Sequence, residues 1–371
     1  MSVKLGTWGK SALDFSGQAA VPGFCAAAER ASPPGFDASS VVVRSKDGAV
    51  AAACPVFRTT YRLDTSLPAT LRPPMALIER IAPRMVALPL LGVGSPMMDR
   101  CPVGFRAGSS MSERAELFSD LLDAVEVEAR RTGASLVAVK DVCDADLPWA
   151  APALAERRYG RMASLPVAVL DLPFATVDDY IASLSASVRK DLRRKLKQSA
   201  NSVHFTECAE VGELAPEIVA MYEATRENGQ ADYGDFDALS PDYVQTILDG
   251  VGGGAKLLLG WVDGVLASFA LILFSDDRAY AHQIGMRYPL ARDHNLYFMN
   301  WIAAVRLCLE RGLTRLEFGQ TSYPPKLRLG CRLERSWVYV RHRSRPINAA
   351  LRHIAPRFGF DQMEERPALA G

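Results

Sequence analysis

Two apolar segments of the chain each contain an Asp-Gly pair near their centre, and this pattern restricts the fold more than any other feature. Ser40–Phe57 reads SVVVRSKDGAVAAACPVF, and Leu257–Phe274 reads LLLGWVDGVLASFALILF. An Asp-Gly pair between two apolar runs is a strong signal for a β-hairpin. The second segment is long enough to span a membrane, but Asp263-Gly264 in its middle predicts two strands instead. We therefore expect one antiparallel hairpin in each half of the chain.

A segment with helical periodicity that ends at glycine follows each hairpin and leads into another strand. In the first half ERAELFSDLLDAVEVEARRTG precedes ASLVAVKDV, and in the second half NLYFMNWIAAVRLCLERG precedes LTRLEFG. Apolar residues recur every three or four positions in both segments, which predicts one apolar stripe on each helix. Gly133 and Gly312 stand where a left-handed C-cap would end the helix. The repeated order predicts two α/β lobes, at residues 1–165 and 166–345, with a C-terminal tail at residues 346–371.

The overall charge of the chain excludes a general attraction to nucleic acid. Its 371 residues suit two domains, and 43 Lys and Arg against 42 Asp and Glu leave a net charge of +1. The seven cysteines are scattered, with no CxxC pair and no histidine at metal-ligand spacing, which is typical of reduced thiols and predicts no metal site. The N-terminus has no apolar core of a signal peptide, so we expect a cytoplasmic protein.

One short stretch, Val188–Lys197, departs from this neutrality because it reads VRKDLRRKLK. It lies in a predicted helix that starts at about Asp178 and carries an apolar stripe on its other side. The cationic residues that share its polar side are Arg189, Lys190, Arg193, Arg194 and Lys197. Only Asp191 neutralises charge within the run, so the stripe predicts either a solvated helix face or a surface for a polyanionic partner.

The segment Met85–Met98, MVALPLLGVGSPMM, is apolar but interrupted by Pro and Gly. Two interpretations of this segment remain open: a buried segment of the core, or a site of peripheral membrane contact.

The block from Arg278 to Arg332 has the order strand, basic loop, helix, strand and polar loop, and it follows an Asp-Gly hairpin. This order resembles the acyl-CoA N-acyltransferase (GNAT) fold, and more specifically the two-lobed GNAT-type acyltransferases related to the FemAB peptidoglycan aminoacyltransferases. The residues that carry the resemblance are SLSASVRKDLRRKLKQS, ERGLTRLEFG and the K-x-x-x-G pattern of KLRLG. The resemblance covers most of residues 170–342. It implies an α/β (α+β) fold of tandem GNAT-like lobes, each a mixed, mostly antiparallel sheet flanked by helices, with the second lobe catalytic.

The resemblance also implies a thioester donor whose pantetheine arm lies between splayed central strands. Its pyrophosphate would lie at the helix opening near Asn295, where Arg287 and Arg292 are the candidate phosphate ligands or, alternatively, ordinary surface arginines. The loop RYPLARDH lacks the glycines of the usual family loop. The donor is therefore left open between acyl-CoA, an acyl carrier protein and an aminoacyl-tRNA, and no bound cofactor is expected.

Attack of an amine on a thioester requires a base for the amine and stabilisation of an oxyanion. His282 and Glu317 are the candidate bases; the alternatives are a core histidine and an ion-paired strand residue. Tyr323 is a candidate acid for the leaving thiolate, unless it only begins a rigid Tyr-Pro-Pro turn. Lys326 is a candidate for holding the donor or a substrate anion.

The stretch at residues 228–243, NGQADYGDFDALSPDY, is acidic and aromatic. Asp232 and Tyr233 within it are candidate ligands for the ammonium group of the acceptor, and the alternative is a solvated loop.

These patterns predict an N-acyltransferase that joins an acyl thioester to an amine. The leading acceptor is a long-chain sphingoid base, as in the bacterial ceramide synthase of the same GNAT-like group, since 49% of the residues are hydrophobic. One alternative is a FemAB-type aminoacyl-tRNA-dependent transferase acting on a peptidoglycan or peptide amine, although the chain has no long heptad insertion for a tRNA-binding arm. A non-enzymatic alternative is an anion-binding scaffold that uses the basic helix. Peripheral contact of the cytoplasmic protein with the inner membrane is left open as an alternative.

Overall fold

The computed structural model describes residues 2–3, 13–62, 87–228 and 239–358, which form two β-sheets with helices packed on them. Among these residues the first sheet has the strand order β1-β3-β4-β5-β7-β16-β8, and β2 and β6 join it through β4. Its strands are β1 Ser2–Val3, β2 Leu13–Asp14, β3 Asp37–Arg44, β4 Val50–Arg62, β5 Ala87–Val93, β6 Gly104–Arg106, β7 Leu136–Cys143, β8 Gly160–Ala163 and β16 Ser336–His342.

The second sheet has the order β10-β11-β12-β13-β14-β9-β15. Its strands are β9 Val167–Asp171, β10 Val203–Cys208, β11 Ala255–Val262, β12 Val265–Phe274, β13 Arg278–Met286, β14 Arg315–Glu317 and β15 Arg332–Glu334. Within the described residues, one pair in each sheet is parallel, β5 with β7 and β13 with β14. The neighbouring pairs are otherwise antiparallel, so the predicted class of two mixed, mostly antiparallel sheets is confirmed.

Both predicted hairpins are present. Strands β3 and β4 form the first, and β11 and β12 form the second. The second turn has positive φ at Asp263 (48°) and Gly264 (83°), which is the backbone that a type I′ hairpin turn requires. Strand β12 is buried from Leu266 to Phe274. The segment long enough to span a membrane is therefore a hairpin in the protein core. No helix in the described ranges is long and apolar enough to cross a membrane.

The helices cover both sheets. They are α1 Phe24–Arg30, α2 Met111–Thr132, α3 Leu147–Glu156, α4 Val177–Ser183, α5 Ala186–Ser199, α6 Ala215–Glu227, α7 Tyr243–Val251, α8 Leu290–Asp293, α9 Leu296–Glu310, α10 Tyr323–Arg328 and α11 Arg345–Ile354. A capping box between Ser110 and Glu113 begins α2. Gly133 (φ 71°) and Gly312 (φ 67°) follow α2 and α9 in the left-handed region, as predicted.

The prediction of a single helix from about Asp178 is wrong in one respect. The structure has two helices there, α4 and α5, with a break between them. Leu184 is extended and buried at the break, where it joins the core under the second sheet. Arg189 donates from Nη1 to the carbonyl oxygens of Ala182 (2.7 Å) and Leu184 (3.2 Å). A side chain that satisfies the free carbonyls at the end of a helix stabilises that end. One member of the predicted basic stripe thus has a structural role.

A ribbon of two chain segments joins the sheets. Strand β8 of the first sheet leads into β9 of the second, and β15 of the second leads into β16 of the first. The segments run antiparallel, with Glu334 opposite Val167 and Trp337 opposite Ala163. Strand β16 therefore lies between β7 and β8 of the first sheet. In the sequence-based division at residues 165 and 345, the same strand belongs to the second lobe. The division into two lobes stays a proposal, in which the second lobe contributes strand β16 to the sheet of the first.

The two lobes also share a hydrophobic core. Helix α1 of the first lobe packs on α7 of the second, beside the face of β11, β12 and β13. The helices approach closely because glycine stands at the crossing on both sides, Gly250 within α7 and Gly23 just before α1. A Cβ on Gly250 would overlap the Cβ of Ala27, and a Cβ on Gly23 would overlap the carbonyl oxygen of Gly250. Phe24 and Tyr243 are fully buried in this contact. The lobes are thus packed as one unit at this face.

The apolar segment Met85–Met98 is described from Ala87 onward. It forms β5 and the loop after it, and Leu91, Val93 and Met98 are buried. In this part the contacts are those of a core segment.

Candidate active site

Strands β13 and β14 are parallel neighbours that separate within the second sheet. Arg278–Tyr280 pairs with Arg315–Glu317, and in the described part of the chain β13 has no strand partner on that side from Ala281 to Met286. The corresponding pair in the first sheet, β5 and β7, stays paired up to Val93, the last residue of β5. The second lobe therefore contains a cleft between diverging central strands, and the first sheet is closed at the same junction.

His282 lies where the strands begin to diverge. It occupies a β-bulge, because Ala281 and Gln283 have Cα partners on β12 and the residue between them has none. Its Nε2 lies 2.6 Å from the hydroxyl of Tyr243, and the ring of Phe24 meets its ring edge-on at a centroid distance of 5.0 Å. Burial lowers the pKa of His282 to about 3. These contacts are those of a packed, neutral histidine, and its role as a base stays a prediction.

Glu317 ends β14 and lies in a buried ion network. Its Oε2 accepts from Arg100 Nε at 2.8 Å, and its Oε1 lies 3.4 Å from Arg278 Nη1. Arg100 comes from the loop after β5 of the first lobe and also contacts Glu334 at 2.5 Å. Burial alone would lower the pKa of Arg100, but the adjacent Glu317 raises it overall. Both carboxylate oxygens of Glu317 are thus engaged by arginines, so the network holds this carboxylate in place.

Lys326 and Tyr323 hold the segment that follows β14. The Lys326 ammonium group is buried and donates to three backbone carbonyls, those of Phe318 (2.6 Å), Gly319 (3.4 Å) and Gln320 (3.0 Å). Desolvation lowers the pKa of Lys326 to about 8. The Tyr323 hydroxyl donates to the carbonyl oxygen of Pro166 at 2.9 Å. The segment predicted as a polar loop therefore includes helix α10, and the roles of Lys326 and Tyr323 toward a donor stay predictions.

Asp99 is a functional candidate that the sequence did not reveal. It lies in the loop after β5, and Gln18 Nε2 donates to its Oδ2 at 2.7 Å. A Cβ built on Gly319, just after β14, would lie 3.1 Å from the same oxygen. Burial raises the pKa of Asp99. Burial, and after it the Asp99 charge, raises the pKa of Tyr243, the partner of His282. Asp99 of the first lobe therefore lies beside Gly319, just after β14 on one side of the cleft.

The predicted phosphate ligands surround the loop between β13 and α9. Arg287 Nη2 contacts Glu217 at 2.7 Å, and Arg292 Nη2 donates to Asn228 Oδ1 at 2.9 Å. Asn295 adopts left-handed backbone (φ 51°) immediately before α9, and its side chain donates to Ser199 Oγ at 3.3 Å. The structure brings these residues together at the helix opening, with both arginines paired to neighbouring side chains. Donor binding by them stays a prediction.

The basic stripe on α5 divides into paired and unpaired members. Besides Arg189, Arg194 pairs with Asp191 at 2.8 Å. The exposed side chains with no ion pair to another described residue are Lys190, Arg193 and Lys197. These three are spaced i, i+3 and i+7, so they form one cationic row on the outer side of the helix.

The acceptor candidates Asp232 and Tyr233 fall within 229–238, outside the described residues. In the ranges that are described, no group of three or more His, Cys, Asp or Glu side chains is placed to hold a metal ion. All seven cysteines are free thiols.

Comparison with known proteins identifies the fold. Residues 186–326 match the family model of the acetyltransferase (GNAT) domain. No curated protein sequence matches the chain. Among solved structures, FemX is 13% identical and superposes with a TM-score of 0.57, covering 89% of this chain and 97% of that one.

Two further structures agree. The C-terminal domain of a putative lysylphosphatidylglycerol synthetase from Agrobacterium fabrum is 14% identical with a TM-score of 0.55, covering 91% of each chain. A tandem GNAT protein from the clavulanic acid biosynthesis pathway is 16% identical with a TM-score of 0.50, covering 87% of this chain and 89% of that one. The chain thus has the tandem GNAT fold, and the domain match supports a transferase.

Proposed function

We propose that the second lobe transfers an acyl group from an acyl thioester to an amine, with the donor bound between β13 and β14. The observation that carries this proposal is the divergence of these strands after three residue pairs, inside the region matched by the GNAT domain. An extended donor arm can pair with the strand edge from Ala281 to Gly285, as a peptide adds to the edge of a sheet. Beyond this stretch the Met286 N–H donates to Thr225 Oγ1 of α6 at 2.8 Å. The closed junction of β5 and β7 offers no such edge.

We assign Asp99 as the general base. A catalytic base works best with a pKa near the working pH, and burial raises the pKa of this carboxyl. A pKa of about 3 makes His282 a weak base, and two arginines engage Glu317. Gln18 supports the assignment, because its buried Oε1 has no hydrogen-bond partner among the described residues. An amine at this point can donate one N–H to Gln18 and another to Asp99.

The reaction then proceeds by addition and elimination. The amine nitrogen attacks the thioester carbon, Asp99 accepts the proton that the nitrogen loses, and the carbonyl oxygen becomes an oxyanion. When the oxyanion collapses, the carbon–sulfur bond breaks and the thiolate leaves, to be protonated by solvent or by Tyr323. The products are an amide and a free thiol, so release of thiol reports turnover.

A second candidate is transfer of an aminoacyl group from a tRNA ester to an amine. The similarity of the fold to FemX and to a lysylphosphatidylglycerol synthetase domain favours it. The unpaired row of Lys190, Arg193 and Lys197 is a suitable contact for a polyanion. The same base serves both candidates, since an amine must lose a proton in either reaction.

The acceptor is proposed only as an amine. A sphingoid base stays a prediction, because neither the matched domain nor the similar structures bear on it. It belongs in the panel of amines to be tested, together with peptide and amino-sugar amines.

The test is an assay of the full chain with acyl-CoA, acyl carrier protein or aminoacyl-tRNA as the donor and this panel as acceptors. We expect thiol release with a thioester donor, and a loss of about a hundredfold or more in Asp99→Asn at unchanged melting temperature. Asp120→Asn, at an exposed position on α2 of the first lobe, is the control and should keep wild-type turnover.

Two results would redirect the proposal. If the protein transfers from aminoacyl-tRNA and releases no thiol from any thioester, the proposed donor is an aminoacyl-tRNA. The proposed site residues then stay the same. Wild-type turnover in Asp99→Asn would remove Asp99 as the base and return the role to Glu317 or His282.

A further inference from the structure

Helix α11 packs on β8 and β16 of the first sheet. Its inner side is fixed: Asn348 Oδ1 accepts from the backbone N–H of His342 at 3.0 Å, and Asn348 Nδ2 donates to the carbonyl oxygen of Arg158 at 2.9 Å. Leu351 packs against a small core cluster that includes Phe36 and Phe57. The helix is therefore held in one orientation by contacts with β8, β16 and the sheet behind them.

The outer side of α11 presents apolar side chains to solvent. Ile347 is 53% exposed and Ile354 is 41% exposed. Ala350 is also exposed and lies between them at the i, i+3, i+7 spacing of one helix face. Since the inner contacts fix the helix, these side chains cannot turn inward to join the core. A row of large apolar side chains kept in solvent is typical of an interaction surface.

The charged residues of α11 and of the turns that flank it have one sign. Residues 343–358 contain no Asp or Glu. The exposed arginines of this segment are Arg343, Arg345, Arg352 and Arg357. No described acidic side chain forms an ion pair with any of the four. In a chain of net charge +1, the segment is a local excess of positive charge. Helical spacing places Arg345 and Arg352 on the side of α11 opposite Ile347 and Ile354, so the helix has separate apolar and cationic sides.

We propose that α11 docks the protein on an anionic membrane surface, with Ile347 and Ile354 inserted among the lipids and the arginines on the headgroups. An amphipathic helix with an apolar side and a cationic side lies in the plane of a bilayer interface, with its cations at the level of the headgroups. The combination decides the partner: the arginines are complementary to anionic phosphates, and the isoleucines require an apolar medium. A nucleic acid provides the phosphates without that medium. This surface is independent of the proposed transfer reaction and of the cationic row on α5.

The test is co-sedimentation of the full chain with vesicles of phosphatidylglycerol and phosphatidylcholine in equal parts, and with vesicles of phosphatidylcholine alone. We expect binding to the anionic vesicles that weakens as salt rises, since salt screens the attraction between arginine and headgroup. Arg345→Glu with Arg352→Glu should reduce partitioning about tenfold or more. Ile347→Asp with Ile354→Asp should reduce it to a similar extent.

The control for the apolar row is Val127→Asp, on α2, where Val127 is 56% exposed. The control for charge is Lys190→Glu with Arg193→Glu on α5. Both should bind anionic vesicles like the wild type, and the melting temperatures of all variants show whether folding is retained. Absence of binding to the anionic vesicles would overturn the proposal. So would equal losses in the control variants, or binding that appears only after residues 359–371 are removed, which would identify the tail as the occupant of this face.

Discussion

At the scale of single residues, Arg100 is the most consequential side chain. It is 8% exposed and joins the loop after β5 to Glu317 of the second sheet and to Glu334 of the connecting ribbon. A buried ion pair contributes little net stability compared with an apolar replacement of both partners. Removing Arg100, however, leaves the buried Glu317 with only the longer contact to Arg278, at 3.4 Å. Arg100 therefore supplies the shorter of the two ion pairs that compensate the buried charge of Glu317, and it does so across the lobes.

We predict that Arg100→Met lowers the free energy of unfolding by about 3–5 kcal/mol. Arg58→Met, which removes an exposed ion pair with Asp37, should cost no more than about 1 kcal/mol. Denaturant titration of both variants measures the difference. Adding Glu317→Gln to Arg100→Met should recover part of the loss, and a double variant as unstable as the single one would contradict the explanation.

At the scale of elements, the crossing of α1 and α7 sets how closely the lobes approach. Gly250 allows it, because a Cβ there would overlap Ala27 on the facing helix. An added methyl group can be accommodated only if the helices move apart, which strains a packed core.

We predict that Gly250→Ala lowers the free energy of unfolding by about 1–3 kcal/mol. The matched control is Gly253→Ala, three residues away, where a Cβ would have no heavy atom within 4 Å. Because alanine restricts the unfolded chain more than glycine does, the control should be neutral or slightly stabilising. Thermal and denaturant unfolding of the two variants provide the comparison, and equal effects would show that the crossing is not tight.

At the scale of the whole molecule, the ribbon of β8–β9 and β15–β16 completes both sheets. The first sheet needs β16 from late in the chain, and the second needs β9, which directly follows the first lobe. Strand β16 separates β7 from β8 in the first sheet, and β9 separates β14 from β15 in the second. A fragment that ends at residue 165 lacks β16, which leaves two unpaired strand edges.

We therefore predict that residues 1–165 alone do not reach the native fold, although their sequence reads as a complete lobe. The fragment should lack protection of its β7 amides in hydrogen exchange, whereas the full chain protects them. Appending residues 332–358 to the fragment through a flexible linker should restore protection. A fragment that is fully protected without them would show that the lobes fold independently.

The sequence by itself determined the local elements of this protein and their order. Asp-Gly turns and glycine helix ends depend on backbone preferences of a few neighbouring residues, so the hairpins and the ends of α2 and α9 were predictable. The break between α4 and α5 was not predictable, because it depends on the burial of Leu184 against the second sheet.

Only the tertiary structure decided the site and the joining of the lobes. Asp99 and Gly319 are more than two hundred positions apart in the numbering, as are Arg100 and Glu317, so no periodicity links them. The exchange of β16 between the sheets is equally invisible, since a strand has the same alternation of side chains whichever sheet it joins. Local pattern records the preferences of neighbours in the chain, while contacts between distant residues follow from the packing of whole elements.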